Sequence, residues 1–145
     1  MDILLKTLKG EIRTLENLMK KKKVNLLLFY NTYCIGCTGR AIPFAYELTK
    51  DFPEVNLIVI HTNFGNQTFS ENEILDIFTT KTSPFNIYID PNAETYNHFQ
   101  CEGTPHWIVL DQELQIFRSI FGSQNQAQQR LWYALESLKN SNVSD

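Results

Sequence analysis

The sequence has few cysteines, no excess of positive charge and no long apolar run. Its 145 residues include three cysteines and carry a formal net charge of −3. Three cysteines are too few for a disulfide scaffold and odd in number. The acidic balance provides no basic surface for nucleic acid or an anionic membrane, and no segment reaches membrane-spanning length. We therefore expect neither nucleic acid nor a membrane as a partner.

The first residues also lack the apolar region of a secretory signal, since Asp2, Lys6 and Lys9 place charges early in the chain. This pattern predicts a cytoplasmic protein. In such a reducing compartment, a close pair of cysteines is more often catalytic or metal-binding than a structural staple.

The composition favours a single domain over residues 1–145. Hydrophobic residues make up 43% of the chain and aromatic residues 12%, which is enough for a sizeable core. Residues 1–23 are expected to form an N-terminal extension, and residues 140–145 a polar tail.

The most informative feature is the pair Cys34 and Cys37, placed between an apolar run at residues 26–29 and a helical pattern. At this spacing on a helix, two sulfurs lie about one turn apart and can close a disulfide or open into two thiols. Cys34 is the expected nucleophile, because unpaired N–H groups and the helix dipole at the first turn stabilise a thiolate. Cys37 is the expected resolving thiol, which releases the partner from a mixed disulfide. The pair forms a two-electron exchanger, and no cofactor is expected.

Apolar runs and helical periodicity alternate through the first half of the chain. Residues 24–30 and 55–60 have the continuous apolar character of strands covered on both faces. Between them a helical pattern runs to Lys50 with Cys37 on its buried side, and Pro43 inside it is expected to kink the helix. A strand, a helix and a strand in this order form a parallel crossover.

The second half contains further strand and helix signals. These are a capping box at residues 70–73, an alternating strand at residues 85–89, a capped helix at residues 90–99, a hairpin at residues 107–121 and an amphipathic helix from residue 127. This order predicts an α/β three-layer sandwich with a mixed central sheet flanked by helices. Ligands of such sheets gather at the carboxyl ends of the parallel strands, where Cys34 lies.

Periodicity leaves two interpretations of residues 1–23 open. The apolar residues fit a helical stripe, but Gly10 interrupts it at a cost of about 1 kcal/mol relative to alanine. The alternative is a short hairpin that turns at Lys9 and Gly10, followed by a small helix capped by Thr14.

Three features of this sequence occur together in one known family. They are the cysteine motif at residues 33–37, the segment Gly103-Thr104-Pro105 before a strand, and the hairpin followed by a final helix. The chain thus resembles thioredoxin-fold proteins, and more narrowly the TlpA-like and redoxin-type thiol-disulfide oxidoreductases, over most of its length. The resemblance implies a thioredoxin-like sandwich with a short N-terminal hairpin, and an insertion at residues 84–99.

The resemblance also implies roles for individual residues. Pro105 would be a cis-proline packed against the dithiol, and the backbone of Thr104 would pair with an extended segment of the substrate. Tyr33 stands where the family usually has tryptophan, and two interpretations of its side chain stay open: it shapes the rim of the groove, or it only covers the dithiol. The implied site has Cys34 and Cys37 as catalytic residues, with Tyr33, Thr104 and Pro105 binding substrate. The implied partners are disulfide-containing protein substrates and a recycling reductant that the sequence does not identify.

Several positions depart from the family pattern. Leu28 is apolar where thioredoxin has a buried acid, so proton transfer to Cys37 lacks that helper. Arg40 stands where many TlpA-like proteins have glutamate, and Pro43 lies one residue later than usual. Peroxiredoxins have threonine at the place of Cys34, so peroxidase chemistry of that type is not expected.

The remaining cysteine and the histidines are interpreted as structural. Cys101, at the entry to a strand, is expected to be a buried thiol. His61, His98 and His106 have no metal-ligand spacing with the dithiol, which argues against a metal site. Two alternatives to an exchange enzyme stay open: a redox sensor or binding module without general turnover, and a metal-binding site.

Overall fold

The computed structural model describes residues 3–143 as one mixed sheet flanked by helices. Its strands are β1 (Leu4–Thr7), β2 (Ile12–Thr14), β3 (Asn25–Tyr30), β4 (Asn56–Thr62), β5 (Ile87–Asp90), β6 (His106–Leu110) and β7 (Ile116–Phe121). Its α-helices are α1 (Leu15–Leu18), α2 (Ile42–Asp51), α3 (Glu71–Leu75), α4 (Glu94–His98) and α5 (Ala127–Val143). The sheet order is β2-β1-β5-β4-β3-β6-β7.

β3 lies inside the sheet, and all six of its residues are buried. It pairs in parallel with β4 and antiparallel with β6. β4 and β5 also pair in parallel, whereas β1 pairs antiparallel with both β2 and β5, and β6 with β7. The continuous apolar run of β3 therefore belongs to a strand covered on both faces, as its sequence predicts.

Side chains alternate across the sheet and fill a core cluster on each face. One cluster packs against α2, α3 and α5 through residues such as Leu48, Ile74 and Leu131. The other packs against α1 and α4 through Leu15 and Tyr96. The predicted α/β three-layer sandwich with a mixed sheet is confirmed.

The N-terminal residues form the predicted hairpin. β1 and β2 pair antiparallel, and the Thr7 N–H donates to the Glu11 carbonyl oxygen at 2.8 Å. Gly10 has a φ of +88°, a conformation that L side chains rarely adopt, so glycine suits this turn. Thr14 Oγ1 accepts the Asn17 N–H at 3.2 Å and caps α1. The helical interpretation of this segment is therefore wrong.

The helix after the dithiol is irregular just before Pro43. Residues Cys37–Ala41 form a π-helical turn, in which the Ile42 N–H donates to the Cys37 carbonyl oxygen five residues back. α2 continues from this turn at Ile42, and both Ala41 and Ile42 have right-handed helical backbone conformations, so Pro43 lies inside a longer helical segment. A proline removes a backbone bond and crowds the preceding turn, so the irregularity lies where a proline inside a helix is expected to produce it.

The capping residues predict the start of one helix correctly, whereas a second helix begins later than its capping residue predicts. Ser70 and Glu73 form the predicted capping box at the start of α3. The buried Asp90, expected to cap a helix that starts at the next residue, instead accepts the N–H groups of Thr95 and Tyr96 at 2.9 and 3.0 Å. It thus satisfies the first turn of α4 across an intervening turn in which Asn92 and Ala93 have left-handed backbone conformations.

Two further boundaries differ from the sequence expectation. The strand expected over residues 85–89 begins at Ile87. α5 continues through residue 143, so residues 140–143 of the expected tail are helical, and residues 144–145 lie outside the described residues. Within residues 3–143, no helix is long and apolar enough to cross a membrane.

Candidate active site

Strand pairing brings two distant loops together at the carboxyl end of β3. β6 runs antiparallel to β3, with His106 opposite Phe29, so the loop before β6 lies where β3 ends. This pairing places Thr104 beside Cys34, although the two residues are 70 positions apart in the chain.

The buried side chain of Asn31 holds the loop that carries Cys34. Asn31 Oδ1 accepts the Tyr33 N–H at 2.9 Å, and the Asn31 carbonyl oxygen accepts the Cys34 N–H at 2.9 Å. Asn31 Nδ2 donates to the Thr62 carbonyl oxygen at 2.8 Å and to Gln67 Oε1 at 2.9 Å. The loop is therefore tied to itself and to the end of β4.

The two cysteines of the pair differ in exposure. Cys34 is half-buried, whereas Cys37 is fully buried at the start of the π-helical turn. They form a disulfide, with their Cα atoms 5.2 Å apart. The Cys37 N–H donates to Cys34 Sγ at 3.2 Å, so a thiolate at Cys34 has a backbone donor. This geometry suits Cys34 for attack on another disulfide and Cys37 for resolution.

Thr104 and Pro105 lie against the disulfide. The peptide bond between them is cis, Pro105 is buried, and Cys34 Sγ lies 3.3 Å from the Thr104 carbonyl oxygen. The Pro105 carbonyl oxygen accepts the Gly122 N–H at 2.7 Å. A Cβ atom at position 122 would lie 2.5 Å from Pro105 Cγ, so this close approach requires glycine.

Neither protein-family models nor curated protein sequences match this chain, but solved structures do. A thioredoxin-like protein from Aeropyrum pernix matches with a TM-score of 0.74 at 15% identity, covering 94% of this chain and 89% of that one. A secreted Mycobacterium tuberculosis disulfide oxidoreductase, homologous to DsbE of E. coli, matches with a TM-score of 0.70 at 15% identity, covering 93% and 95% of the two chains. The exposed lipoprotein thioredoxin of Streptococcus pneumoniae matches with a TM-score of 0.72 at 16% identity, covering 95% and 100%. This chain has a thioredoxin-like fold.

Apolar side chains border one side of the dithiol in this thioredoxin-like fold. Tyr33 is 72% exposed and Ile35 is 87% exposed. The Tyr33 ring contacts Phe69, with ring centroids 5.3 Å apart. Beside Pro105 lies a groove of about 230 Å³, lined by Arg40 and by polar residues at the start of α5. A partner that reaches the half-buried Cys34 therefore meets an apolar rim and a polar groove.

His61 is an ionisable residue next to the dithiol loop to which the sequence analysis assigns no role in the site. His61 is fully buried near the end of β4, and its Nε2 accepts the Thr32 N–H at 3.1 Å. Burial lowers the pKa of His61 below its usual 6.5. Leu28, in the place of the buried acid of thioredoxin, is fully buried in the apolar core. A lone histidine at the carboxyl end of a buried parallel strand is the signal that could have drawn attention to His61.

The other singled-out residues lie away from the disulfide chemistry. Cys101 is a free thiol, and it is half-buried rather than buried. Burial, assisted by the charge of Asp90, raises the pKa of Cys101 to about 12. His106 is buried with its Nε2 2.8 Å from Ser119 Oγ, and His98 is exposed. Within residues 3–143, no group of three or more histidine, cysteine or acidic residues could hold a metal ion.

Proposed function

We propose that this protein is a thiol-disulfide oxidoreductase that exchanges disulfides with protein substrates. The observation that carries this proposal is the position of Cys34 Sγ, which is bonded to the buried Cys37 and lies 3.3 Å from the Thr104 carbonyl oxygen. The matching structures from M. tuberculosis and S. pneumoniae, described as a disulfide oxidoreductase and a thioredoxin, support it.

The proposed reaction transfers two electrons through the two sulfurs. In the reduced protein, the Cys34 thiolate attacks one sulfur of a substrate disulfide, and the other substrate sulfur leaves as a thiolate and takes a proton from water. Cys37, as a thiolate, then attacks Cys34 Sγ, forms the intramolecular disulfide and releases the second substrate thiolate. The substrate disulfide is reduced to two thiols, and the protein dithiol is oxidised.

The same geometry suggests how a substrate docks. We propose that an extended substrate segment pairs with the backbone of Thr104, as in strand addition, next to Pro105. Thr104 is half-buried and its carbonyl oxygen already faces Cys34 Sγ. Tyr33, 72% exposed, would contact apolar side chains of the substrate beside its cystine.

The test is reduction of insulin disulfides with dithiothreitol as the electron source. We expect the wild type to exceed the rate of dithiothreitol alone, and Cys34→Ser and Cys37→Ser to lose this excess. Cys37→Ser should accumulate a mixed disulfide on Cys34, because the resolving thiol is missing. Cys101→Ser is the matched control and should keep the wild-type rate. A wild type no faster than dithiothreitol alone would contradict general reductase activity.

The exposed apolar rim favours a second candidate, a redox-dependent binding module. Tyr33 and Ile35 flank Cys34, so opening the disulfide changes the surface between two exposed apolar side chains. A partner that binds one redox form, together with negligible reduction of insulin, would support this candidate over the enzyme.

We further propose that the protein works in the cytoplasm as a reductase, where mass action from the reducing pool favours the dithiol. This location would differ from that of two similar proteins, since the M. tuberculosis protein is described as secreted and the S. pneumoniae protein as an exposed lipoprotein. Acid trapping of cells that express the native gene, followed by maleimide gel shift, should find Cys34 and Cys37 mainly reduced. A mainly oxidised pair would contradict this direction and location.

A further inference from the structure

His61 connects the dithiol loop to β4 through two hydrogen bonds. It is the penultimate residue of β4 and is fully buried. Its Nε2 accepts the Thr32 N–H at 3.1 Å and lies 2.9 Å from Thr32 Oγ1. Its Nδ1 lies 2.8 Å from Asn63 Oδ1, an atom that only accepts, so the ring proton sits on Nδ1.

These hydrogen bonds require a neutral imidazole. While Nδ1 donates to Asn63, Nε2 keeps the lone pair that accepts the Thr32 N–H. If the ring gains a second proton, both nitrogens become donors. Nε2 can then donate to Thr32 Oγ1, but the Thr32 N–H loses its acceptor. The loop two residues before Cys34 therefore depends on the protonation state of His61.

The surroundings of His61 favour the neutral ring. Its faces and edges contact the rings of Tyr30 and Phe69, with centroids 5.0 and 4.6 Å away. The Tyr30 hydroxyl, the titratable group among these contacts, is itself buried without a hydrogen-bond partner among the described residues, and burial raises the pKa of Tyr30. Burial is likewise the main cause that lowers the pKa of His61.

Charged groups on the neighbouring elements are engaged elsewhere. Asp90 of β5 accepts from Thr62 Oγ1 at 3.2 Å, on the opposite face of β4 from His61, because successive residues of a strand alternate. In the first turn of α3, beyond Phe69, Glu71 pairs with Lys9 at the surface and Glu73 belongs to the capping box. None of these contacts supplies a counter-charge for an imidazolium at this position.

We propose that His61 is a positioning residue for disulfide exchange: its neutral imidazole holds Thr32, and thereby the turn that presents Cys34 Sγ. This role rests on the proposed exchange activity and deepens it by naming the group that fixes the loop. The hydrogen bonds of the His61 ring go to Thr32 and Asn63, so it acts on Cys34 through the Thr32 amide. Cys34 is then reactive only when its own sulfur is a thiolate and the His61 ring is neutral.

The test follows the labelling of Cys34 by methyl methanethiosulfonate, whose reactivity does not itself titrate, from about pH 4.5 to about pH 8. The reduced protein carries Cys37→Ala, so that Cys34 is the one thiol left in the pair, and peptide mass spectrometry identifies the labelled site. His61→Gln keeps an amide oxygen that can accept the Thr32 N–H but does not titrate. His61→Phe keeps the aromatic contacts and removes the acceptor.

We expect His61→Phe to label about tenfold more slowly than the parent at pH 8, and His61→Gln to stay within about twofold of it. On the acid side, the logarithm of the rate should fall with a slope near one per pH unit while only Cys34 titrates, and the parent should fall more steeply than His61→Gln where the His61 ring also gains a proton. A His61→Phe rate within twofold of the parent at pH 8, or a parent acid limb shallower than that of His61→Gln, would overturn the proposal.

A control variant separates positioning from general destabilisation. Asn25→Leu removes another fully buried polar side chain, at the opposite end of β3, where Asn25 Oδ1 accepts the Lys20 N–H and Asn56 Nδ2. We expect it to lower stability without slowing the labelling of Cys34. Equal slowing by Asn25→Leu and His61→Phe would also overturn the proposal. Labelling needs no protein substrate, so a failure to reduce insulin would affect the proposed function and leave this readout valid.

Discussion

At the scale of single residues, the surroundings of a sulfur decide its chemistry. Cys34 is half-buried, receives a backbone N–H and faces the Thr104 carbonyl oxygen, whereas Cys37 is enclosed one turn away. Cys101 has comparable exposure to Cys34, but burial beside Asp90 raises its pKa to about 12, which keeps it a thiol at neutral pH. The spacing of the cysteines is enough to identify Cys34 and Cys37 as the reactive pair. The burial of Cys101 cannot be predicted in this way, because it depends on residues distant in the chain.

The contact between Gly122 and Pro105 gives a sharp prediction. In Gly122→Ala, the new Cβ would lie 2.5 Å from Pro105 Cγ and 2.8 Å from the Pro105 carbonyl oxygen, so Pro105 or the backbone at residue 122 must shift. We expect the free energy of unfolding to fall by about 1–3 kcal/mol and insulin reduction to fall about tenfold or more. Urea unfolding and the insulin assay measure the two effects.

Gly39→Ala is the matched control, because a Cβ there meets no atom within 4 Å. It should leave insulin reduction unchanged and, because alanine is favoured over glycine inside a helix, raise the free energy of unfolding by up to about 1 kcal/mol. Wild-type stability and turnover in Gly122→Ala would show that the contact with Pro105 does not constrain the site.

At the scale of elements, signals carried by a few consecutive residues correctly predict turns and caps. Predictions fail where contacts between residues distant in the chain decide the structure. The turn at Gly10 and the capping box at Ser70 depend on a few consecutive residues, and both are correct. Asp90 and Pro91 look like a helix start, but left-handed conformations at Asn92 and Ala93 redirect the chain, and the carboxylate reaches α4 instead. The role of His61 depends on a loop that lies 29 positions earlier, which no local pattern reveals.

The π-helical turn before α2 predicts that Pro43 carries little strain. Pro43→Ala should change the free energy of unfolding by less than about 1 kcal/mol, because the π-helical turn before Pro43 already replaces the i→i−4 bonds that a proline would disrupt. Ala45→Pro, placed two residues further into α2, should cost about 3 kcal/mol or more. Urea denaturation of both variants checks this contrast. Stabilisation of about 3 kcal/mol by Pro43→Ala would mean that the proline disrupts the helix interior after all.

At the scale of the whole molecule, two buried histidines couple stability to pH. Burial lowers the pKa of both His61 and His106 below the usual 6.5. Below pH 6.5 the unfolded chain therefore binds protons that the folded chain resists, so the folded state loses stability as the pH falls and keeps this contribution above pH 6.5. Each histidine contributes a slope of up to about 1.4 kcal/mol per pH unit.

We expect urea midpoints to fall between pH 7.5 and about pH 5.5, and less steeply in His61→Gln and His106→Gln. His98→Gln, which replaces an exposed histidine, serves as the control for the substitution itself. A wild-type midpoint that stays constant or rises over this range would contradict burial of the two neutral rings.

The antiparallel pairing of β6 with β3 also sets the order in which a growing chain acquires its chemistry. Cys34 leaves the ribosome 70 residues ahead of Thr104, an interval of roughly 4 to 14 seconds at ordinary rates of synthesis. During that interval both cysteines are exposed without the proline loop that later lies against them. The nascent chain therefore carries a dithiol that no proline loop contacts. Selectivity for substrates is acquired only when β6 pairs with β3 and brings Thr104 and Pro105 next to Cys34.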